Sequence, residues 1–470
     1  MRERSPVAAR VLALLTLASI LLAGCLGATD PAPASTDIVP NPLAGSGPLV
    51  VIAHIDTGVN PYHVDFRDNS SLAYAHPSTY LPGFPADTPA LNLTLDAATY
   101  AEALQADAAV WAAVEPGRLY WIPGTKIVGA VTFGPDGDLP IVDEHGHGTM
   151  TASRSAGNLN SLAPEARLVT VEGLGAESLR WVADQGWIDI VTNSWLSFFP
   201  MPLSAVADDV GPAFAYASDR LLTLAASGNG AAYITGFAPT PTYVLSTAAP
   251  GVVLVGAHDN GRVTLWSGAP PHVLADGYGG PHATVDSLDE VSTSGIACCS
   301  SASSPYAAGG AGALVLEARR VLGHTNGTGL RDGVLAKAPE GHPLPAKGPL
   351  ADGDLTLLEL RMLLLRTATP RPTEGPHDGE AQWLAKGELP SNPTQPGGNP
   401  YCPGCWTTPV TWTTLPENVP AYPHAGYGAV DPTAVTLGQQ VLGGEAAEPE
   451  RPTEDAFFAL DQTLRRPVWG

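Results

Sequence analysis

The chain has 470 residues, 44% of them hydrophobic, with 46 acidic against 23 basic side chains and a formal charge of -23. The length suits one large domain or two ordinary ones. A surface this acidic repels nucleic acid, which excludes it as a partner, and favours solubility, including in high salt.

The amino terminus reads as a targeting segment. Arg2, Arg4 and Arg10 form a basic region, and Val11 to Leu22 form an apolar stretch too short for a comfortable spanning helix. Leu22-Ala23-Gly24-Cys25 resembles a lipoprotein signal, with small residues before the cut and Cys25 to carry the lipid. The alternative is an ordinary signal peptide with a chance cysteine. The expected division is a signal peptide over 1–24 and a Pro-rich tether over 25–47. No later apolar run is long enough to span a membrane. The expectation is export to the cell surface, with a lipid anchor in the outer face of the cell membrane.

The folded part is expected from residue 48. Leu49 to Ile55 is a strand run rich in β-branched residues, followed at once by Asp56-Thr57-Gly58. Residues 66–125, with Pro82, Pro85 and Pro89, look like an insertion. Lys126 to Phe133 reads as a strand, and Asp143-Glu144-His145-Gly146-His147-Gly148-Thr149 follows it. Arg167 to Val171, Ile188 to Thr192 and Leu221 to Ala226 read as further strands, with a helix at Glu177 to Asp184. Strands alternating with helices predict a mostly parallel sheet covered on both faces. Ala307 to Leu322 and Asp354 to Thr367 are expected helices. Residues 370–420 read as a second insertion, Ala434 to Leu442 as a last helix, and 443–470 as an acidic tail.

Three short segments carry the chemistry: Asp56-Thr57-Gly58, His147-Gly148-Thr149, and Cys299-Ser300-Ser301-Ala302-Ser303-Ser304-Pro305. A fourth, Ala226-Ser227-Gly228-Asn229-Gly230, lies between the last two. The order Asp, His, Ser is that of subtilisin, one of several chain orders for the same charge-relay chemistry. The chain thus resembles the subtilisin-like serine endopeptidases (subtilases, peptidase family S8) over roughly residues 48–442. The resemblance implies an α/β, three-layer α/β/α fold with a mostly parallel twisted sheet.

It also implies roles. Asp56 orients the imidazole, His147 is the general base, Ser301 the nucleophile, and the Asn229 amide the oxyanion donor. Relatives read Gly-Thr-Ser-Met-Ala-Ser-Pro at the nucleophile. Pro305 and Ala308-Gly309 set the alignment on Ser301, with Ser300 and Ser303 as alternatives and Cys299 in place of glycine. A serine at a helix start gains from the positive end of the dipole. Pro305 is expected in the first turn, where its missing N–H breaks no helical bond. Val191 to Ser197 resembles the strand that pairs with substrate, so Trp195, Leu196 and Ser197 are expected to bind an extended peptide through the main chain. Met150 stands where relatives often have histidine.

Competing readings are weaker. An aspartic protease needs two Asp-Thr-Gly motifs and this chain has one. His145 and His147 lack the further ligands of a metal site, so His145 is read as structural and no metal is assigned. No cofactor is required for the chemistry, and although relatives often bind calcium, no contiguous carboxylate loop marks such a site. An ester-cleaving α/β-hydrolase would need a Gly-x-Ser-x-Gly elbow. A degenerate, non-catalytic surface binding protein on the same fold is the alternative in another class. The expected partners are protein or peptide substrates, and the membrane through the lipid on Cys25. Cys298, Cys299, Cys402 and Cys405 are expected to form disulfides after export, joining the loop before Ser301 to the 370–420 insertion; the alternatives are a local Cys402–Cys405 link and a four-thiolate zinc site, for which the adjacent Cys298 and Cys299 lack the usual spacing. Asn69, Asn92 and Asn326 lie in glycosylation sequons.

Overall fold

The computed structural model describes residues 49–134, 137–195, 209–228, 249, 251–259, 262–263, 267, 271–277, 280–292, 300–323, 349–350, 355–370 and 426–450. The targeting segment and tether, Leu196, Ser197, Asn229, Asn326, all five cysteines and nearly all of the 370–420 insertion lie outside these residues.

The strands are β1 Val51–Asp56, β2 Ile127–Thr132, β3 Arg167–Glu172, β4 Ile190–Asn193, β5 Leu222–Ala226, β6 Val253–Asp259, β7 Arg262–Val263, β8 Val273–Asp276, β9 His282–Ala283, β10 Val291–Ser292 and β11 Ala429–Val430. The helices are α1 Tyr100–Ala106, α2 Ala108–Trp111, α3 His147–Ala156, α4 Ala176–Asp184, α5 Gly211–Ser218, α6 Ser300–Leu322, α7 Leu357–Thr367 and α8 Pro432–Leu442. Strands β11, β8, β6, β5, β4, β1, β3 and β2 pair in that order, all parallel, and β7 adds to β6 antiparallel. The fold is the expected mostly parallel α/β subtilisin-like one.

Why β1 lies at the centre follows from its side chains. Its run is apolar on both faces, as a strand covered on both sides must be. Val50 and Ile52 point into one core with Ala307, Ala311 and Leu314 of α6, Leu360 of α7 and Val435 of α8. Val51, Ala53 and Ile55 point into the other, with Leu179 and Val182 of α4 and Phe214 of α5. Each fully buried aliphatic side chain contributes about 1.5–3 kcal/mol. From β1 the chain moves to β2 and back to β3 on one side, then crosses to β4 and continues outward on the other. The carboxyl end of β1 therefore borders the switch point, where open α/β sheets place their sites.

The 66–125 insertion has a structural job. It holds α1, α2 and short turns, and its residues 117–121 cover the free edge of β2. Gly117 N–H donates to the Thr132 carbonyl, and Tyr120 and Ala130 exchange main-chain bonds. An edge strand left open would invite pairing with another chain. Tyr62, just after β1, donates to Asp107 at 2.9 Å and accepts from Trp111 Nε1 at 2.9 Å, which ties the insertion to the central strand.

Among the boundaries that differ from expectation, two helix starts have local reasons. Helix α7 starts at Leu357 because Thr356 and Glu359 form a capping box there. Helix α8 starts at Pro432, two residues early, because Asp431 caps it and proline suits the first helical position.

The far end of α3 rests on a buried amine. Lys126 Nζ donates to the carbonyls of Ala156, the last residue of α3, and Pro164, both at 2.6 Å. Burial pushes this amine from 10.5 down to about 8, against the opposing charge of Asp65. The unfolded chain therefore holds more protons than the folded one between about pH 8 and 10.5, and this group makes stability rise with pH across that window. The neutral amine keeps two hydrogens, enough for both carbonyls. Lys126→Met should remove a pH-dependent increment of roughly 3 kcal/mol over that window. The increment is read as the difference between the two proteins' urea-unfolding free energies; parallel curves would show that the amine does not change charge on folding.

Candidate active site

The site begins with two backbones in contact. Gly58 follows β1 with φ 108°, and a Cβ there would lie 2.5 Å from the Ile141 carbonyl oxygen. A Cβ on Gly148, the second residue of α3, would lie 2.2 Å from the Gly58 carbonyl oxygen. Only glycine at both places lets the first turn of α3 lie against the turn after β1. Threonines lock the contact. Thr57 Oγ1 accepts from Gly148 N–H at 2.9 Å, and Thr149 Oγ1 accepts from Asn60 N–H at 2.9 Å.

A buried carboxylate organises the approach to α3. Asp143 Oδ1 accepts from Thr57 Oγ1 and from the N–H groups of His145 and Gly146, each at 2.9 Å; its Oδ2 accepts from Thr149 N–H at 2.7 Å. Gly146 takes φ 91° and ends the loop just before His147.

This frame brings Asp56 and His147 together. Asp56 is the last residue of β1 and His147 the first of α3. His147 Nδ1 lies 2.6 Å from Asp56 Oδ1. A carboxylate can only accept, so Nδ1 carries the hydrogen and Nε2 is left as the basic nitrogen of the neutral ring. Asp56 also accepts from Thr57 N–H at 2.9 Å and Thr151 Oγ1 at 3.1 Å. Burial pushes the Asp56 carboxyl up, but the charge and hydrogen bond of His147, with smaller help from His54 and Thr57 N–H, outweigh it and hold it below its ordinary value. His145 sits beside the pair, its ring 6.5 Å from that of His147, and its imidazole is held below the usual value by burial and then by the His147 charge.

Ser301 is the second residue of α6. Its hydroxyl donates to the Ser194 carbonyl at 3.1 Å, and Ser194 Oγ donates to the Ser301 carbonyl at 2.9 Å. The second bond corrects the expectation for Pro305. The helix starts at Ser300, so Pro305 is its sixth residue, and its missing N–H leaves the Ser301 carbonyl without an i+4 donor. The Ser194 hydroxyl takes that place. The neighbouring serines are spoken for: Ser300 is fully buried and accepts from Gly228 N–H at 3.0 Å, Ser303 is fully buried, and Ser304 bonds Thr192 at 2.9 Å. Ser301 alone of the four reaches the surface, at 7% exposure. Met150, in the first turn of α3, packs on Ala302, so the helix starts carrying His147 and Ser301 adjoin.

Asn229 follows Gly228 directly but lies outside the described residues, as do Leu196 and Ser197. The Trp195 ring turns away from the site into the α4–α5 core, tilted on Phe214 at 5.9 Å, with Nε1 donating to Asn193 at 3.3 Å. No group of three or more His, Cys, Asp or Glu side chains fit to hold a metal occurs among the described residues. No helix among them is long and apolar enough to cross a membrane. Sequence reasoning passed over Asp143, Thr57 and Thr151, although a carboxylate three residues before Gly146 and six before Thr149 is the spacing of a loop cap.

The chain belongs to the subtilase family: the model of peptidase family S8, described as the subtilase family, matches residues 47–381. The chemistry of that family is serine-peptidase hydrolysis. Similar solved structures include a mutant of the protease domain of PatA, 17% identical over 74% of this chain and 100% of that one, with a TM-score of 0.37. The patellamide maturation protease PatA is 13% identical over 86% and 100%, with a TM-score of 0.37. The PatG macrocyclase in complex with peptide is 16% identical over 68% and 92%, with a TM-score of 0.35. Likeness at these scores carries no argument about this chain. No curated protein matches the sequence.

Asp143 gives this site its first test. Asp143→Ala strands one buried and two part-buried N–H groups and should cost about 2–4 kcal/mol. Asp143→Asn keeps one acceptor oxygen and should lose less. Calorimetric melting of both variants checks the order; equal losses would mean that the hydrogen bonds do not hold the loop.

Proposed function

We propose that the chain is a serine endopeptidase acting through Asp56, His147 and Ser301, with Asn229 as oxyanion donor. The observation that carries this reading is the 2.6 Å bond between Asp56 and His147, in a member of the subtilase family, beside the helix start that bears Ser301. In this reading His147 Nε2 takes the Ser301 hydroxyl proton as Oγ attacks the scissile carbonyl. Asp56 stabilises the resulting imidazolium without taking the proton. The proton then passes to the leaving amine, and water, activated by the same base, hydrolyses the acyl-enzyme. The Asn229 amide and backbone N–H groups at the start of α6 supply the charge stabilisation. An extended peptide pairs with the main chain of Trp195, Leu196 and Ser197, so unfolded or looped protein is the substrate class.

The protein is exported and held at the outer face of the membrane by a lipid on Cys25, with 25–47 as a tether. Disulfides among Cys298, Cys299, Cys402 and Cys405 fasten the 370–420 insertion near the nucleophile loop.

Ser301→Ala and His147→Ala should each abolish peptide hydrolysis and fluorophosphonate labelling. The double variant should be scarcely slower than either single one, because triad members act as a unit. Native wild-type protein that takes no label at Ser301 would move the reading to the non-catalytic binding protein. Cys25→Ser should shift the protein from the membrane fraction to the soluble one at unchanged specific activity; continued retention would rule out Cys25 as the sole anchor.

A further inference from the structure

Ile141 is the one non-glycine with positive φ among the described residues, at 70°. A β-branched side chain is a strained occupant of left-handed backbone, and such strain persists only where the surroundings impose it. The surroundings here are specific. The Ile141 side chain is fully buried in the core of the α3–α6 face. Its carbonyl accepts from Val59 N–H at 2.9 Å and lies hard against Gly58. Its N–H donates to Glu172 Oε2 at 2.6 Å, across 31 residues.

Glu172 is a buried glutamate at the carboxyl end of β3, in register with Asp56 on the same face of the sheet. The adjoining Gly173 N–H donates to the Asp56 carbonyl at 3.3 Å. Downstream of Ile141 the path is short. Val142 bridges Val59, Asp143 N–H donates to the Val59 carbonyl, and the Asp143 carboxylate then holds Thr57 and the backbone leading into His147. We propose that Glu172 is a positioning residue, a latch that holds Ile141 left-handed and thereby sets the loop that presents His147 to Asp56. A glycine at 141 would take this backbone without strain but would empty part of the core. The chain keeps the isoleucine and places the acceptor on the neighbouring strand.

The kinetic part of the test rests on the endopeptidase reading; the spectroscopic part does not. In the full-length chain, Glu172→Val should lower kcat about ten- to a hundredfold with KM changed less than about twofold, the pattern of a misplaced base. Glu172→Gln, which keeps an acceptor, should stay within about threefold of wild type. The low-field proton resonance of the Asp56–His147 bond, assigned by its loss in His147→Ala, should shift or broaden in Glu172→Val and persist in Glu172→Gln. Glycine relieves the strain, so adding Glu172→Val to Ile141→Gly should cost less than adding it to wild type. If Glu172→Val alone does not fold, the double variant decides: folding supports the latch, and failure to fold overturns it. A folded Glu172→Val with unchanged kcat and unmoved resonance also overturns it, as do losses that simply multiply. Wild-type protein that shows the resonance but no hydrolysis would defeat the endopeptidase reading, and the latch would then stand or fall on the resonance.

Discussion

The arrangement of this molecule depends on the contact between Gly58 and Gly148, where the turn leaving the central strand meets the first turn of α3 with no side chain between them. Backbone this close brings unpaired N–H groups with it, because the first turn of a helix has donors with no partner inside the helix. Thr57 and Asp143 supply acceptors for the helix, and Thr149 supplies one for Asn60 N–H in the turn. The small residues and the polar residues around the pair are therefore one solution to one problem. Glycine permits the approach, and short hydroxyl and carboxylate side chains satisfy what the approach leaves bare. The Asp56–His147 bond is what this packing leaves at the surface end of the contact.

The helix bearing Ser301 is fixed by different means. Near its far end, Arg319 clasps Asp189 through two bonds of 3.0 and 2.7 Å, and Asp189 also accepts from Val51 N–H at 2.9 Å, so α6 is tied to the amino ends of β1 and β4. A buried pair like this adds little net stability, but breaking it strands a charge. Its worth lies in register. At the near end, Ser194 closes the gap that Pro305 opens, and Gly228 leans on Ser300. Proline here ties the helix start to β4, because the carbonyl it leaves unpaired must find a donor outside the helix.

What could be read from the residues alone follows from range. The β-branched run of β1 and the three motif segments announce themselves locally, and β2 falls one residue inside its expected span at each end. The pairing of Asp56 with His147 was legible because short motifs in a known order point to both, and the two side chains do meet at 2.6 Å. The long-range partners were not. The tie between Thr57 and Asp143 spans 86 residues, and that between Glu172 and Ile141 spans 31. Neither shows in any window of sequence. Where the Trp195 ring packs was not legible either, because its partner Phe214 lies 19 residues away on α5. The segment 66–125 read as an insertion with no stated job because covering an edge needs only a few main-chain bonds, which leave no periodicity.

The chemistry at Asp56 also depends on what lies beneath it. His54, two residues earlier on the same face of β1, is buried with Nδ1 3.2 Å from the Val169 carbonyl and Nε2 3.3 Å from the Gly58 carbonyl. Burial pushes its imidazole below the usual value, against the pull of Asp56 and Asp143. A neutral ring has one N–H, so only one of the two carbonyl contacts can be a hydrogen bond at a time. An aliphatic residue, as elsewhere in β1, would fill the same space without that frustration. The histidine instead puts a titratable imidazole behind the carboxylate that faces His147. Its influence runs in the same direction as that of His147, helping to keep Asp56 ionised in a place where burial alone would neutralise it. Asp56 can then be both buried enough to be rigid and charged enough to hold the imidazole in one tautomer.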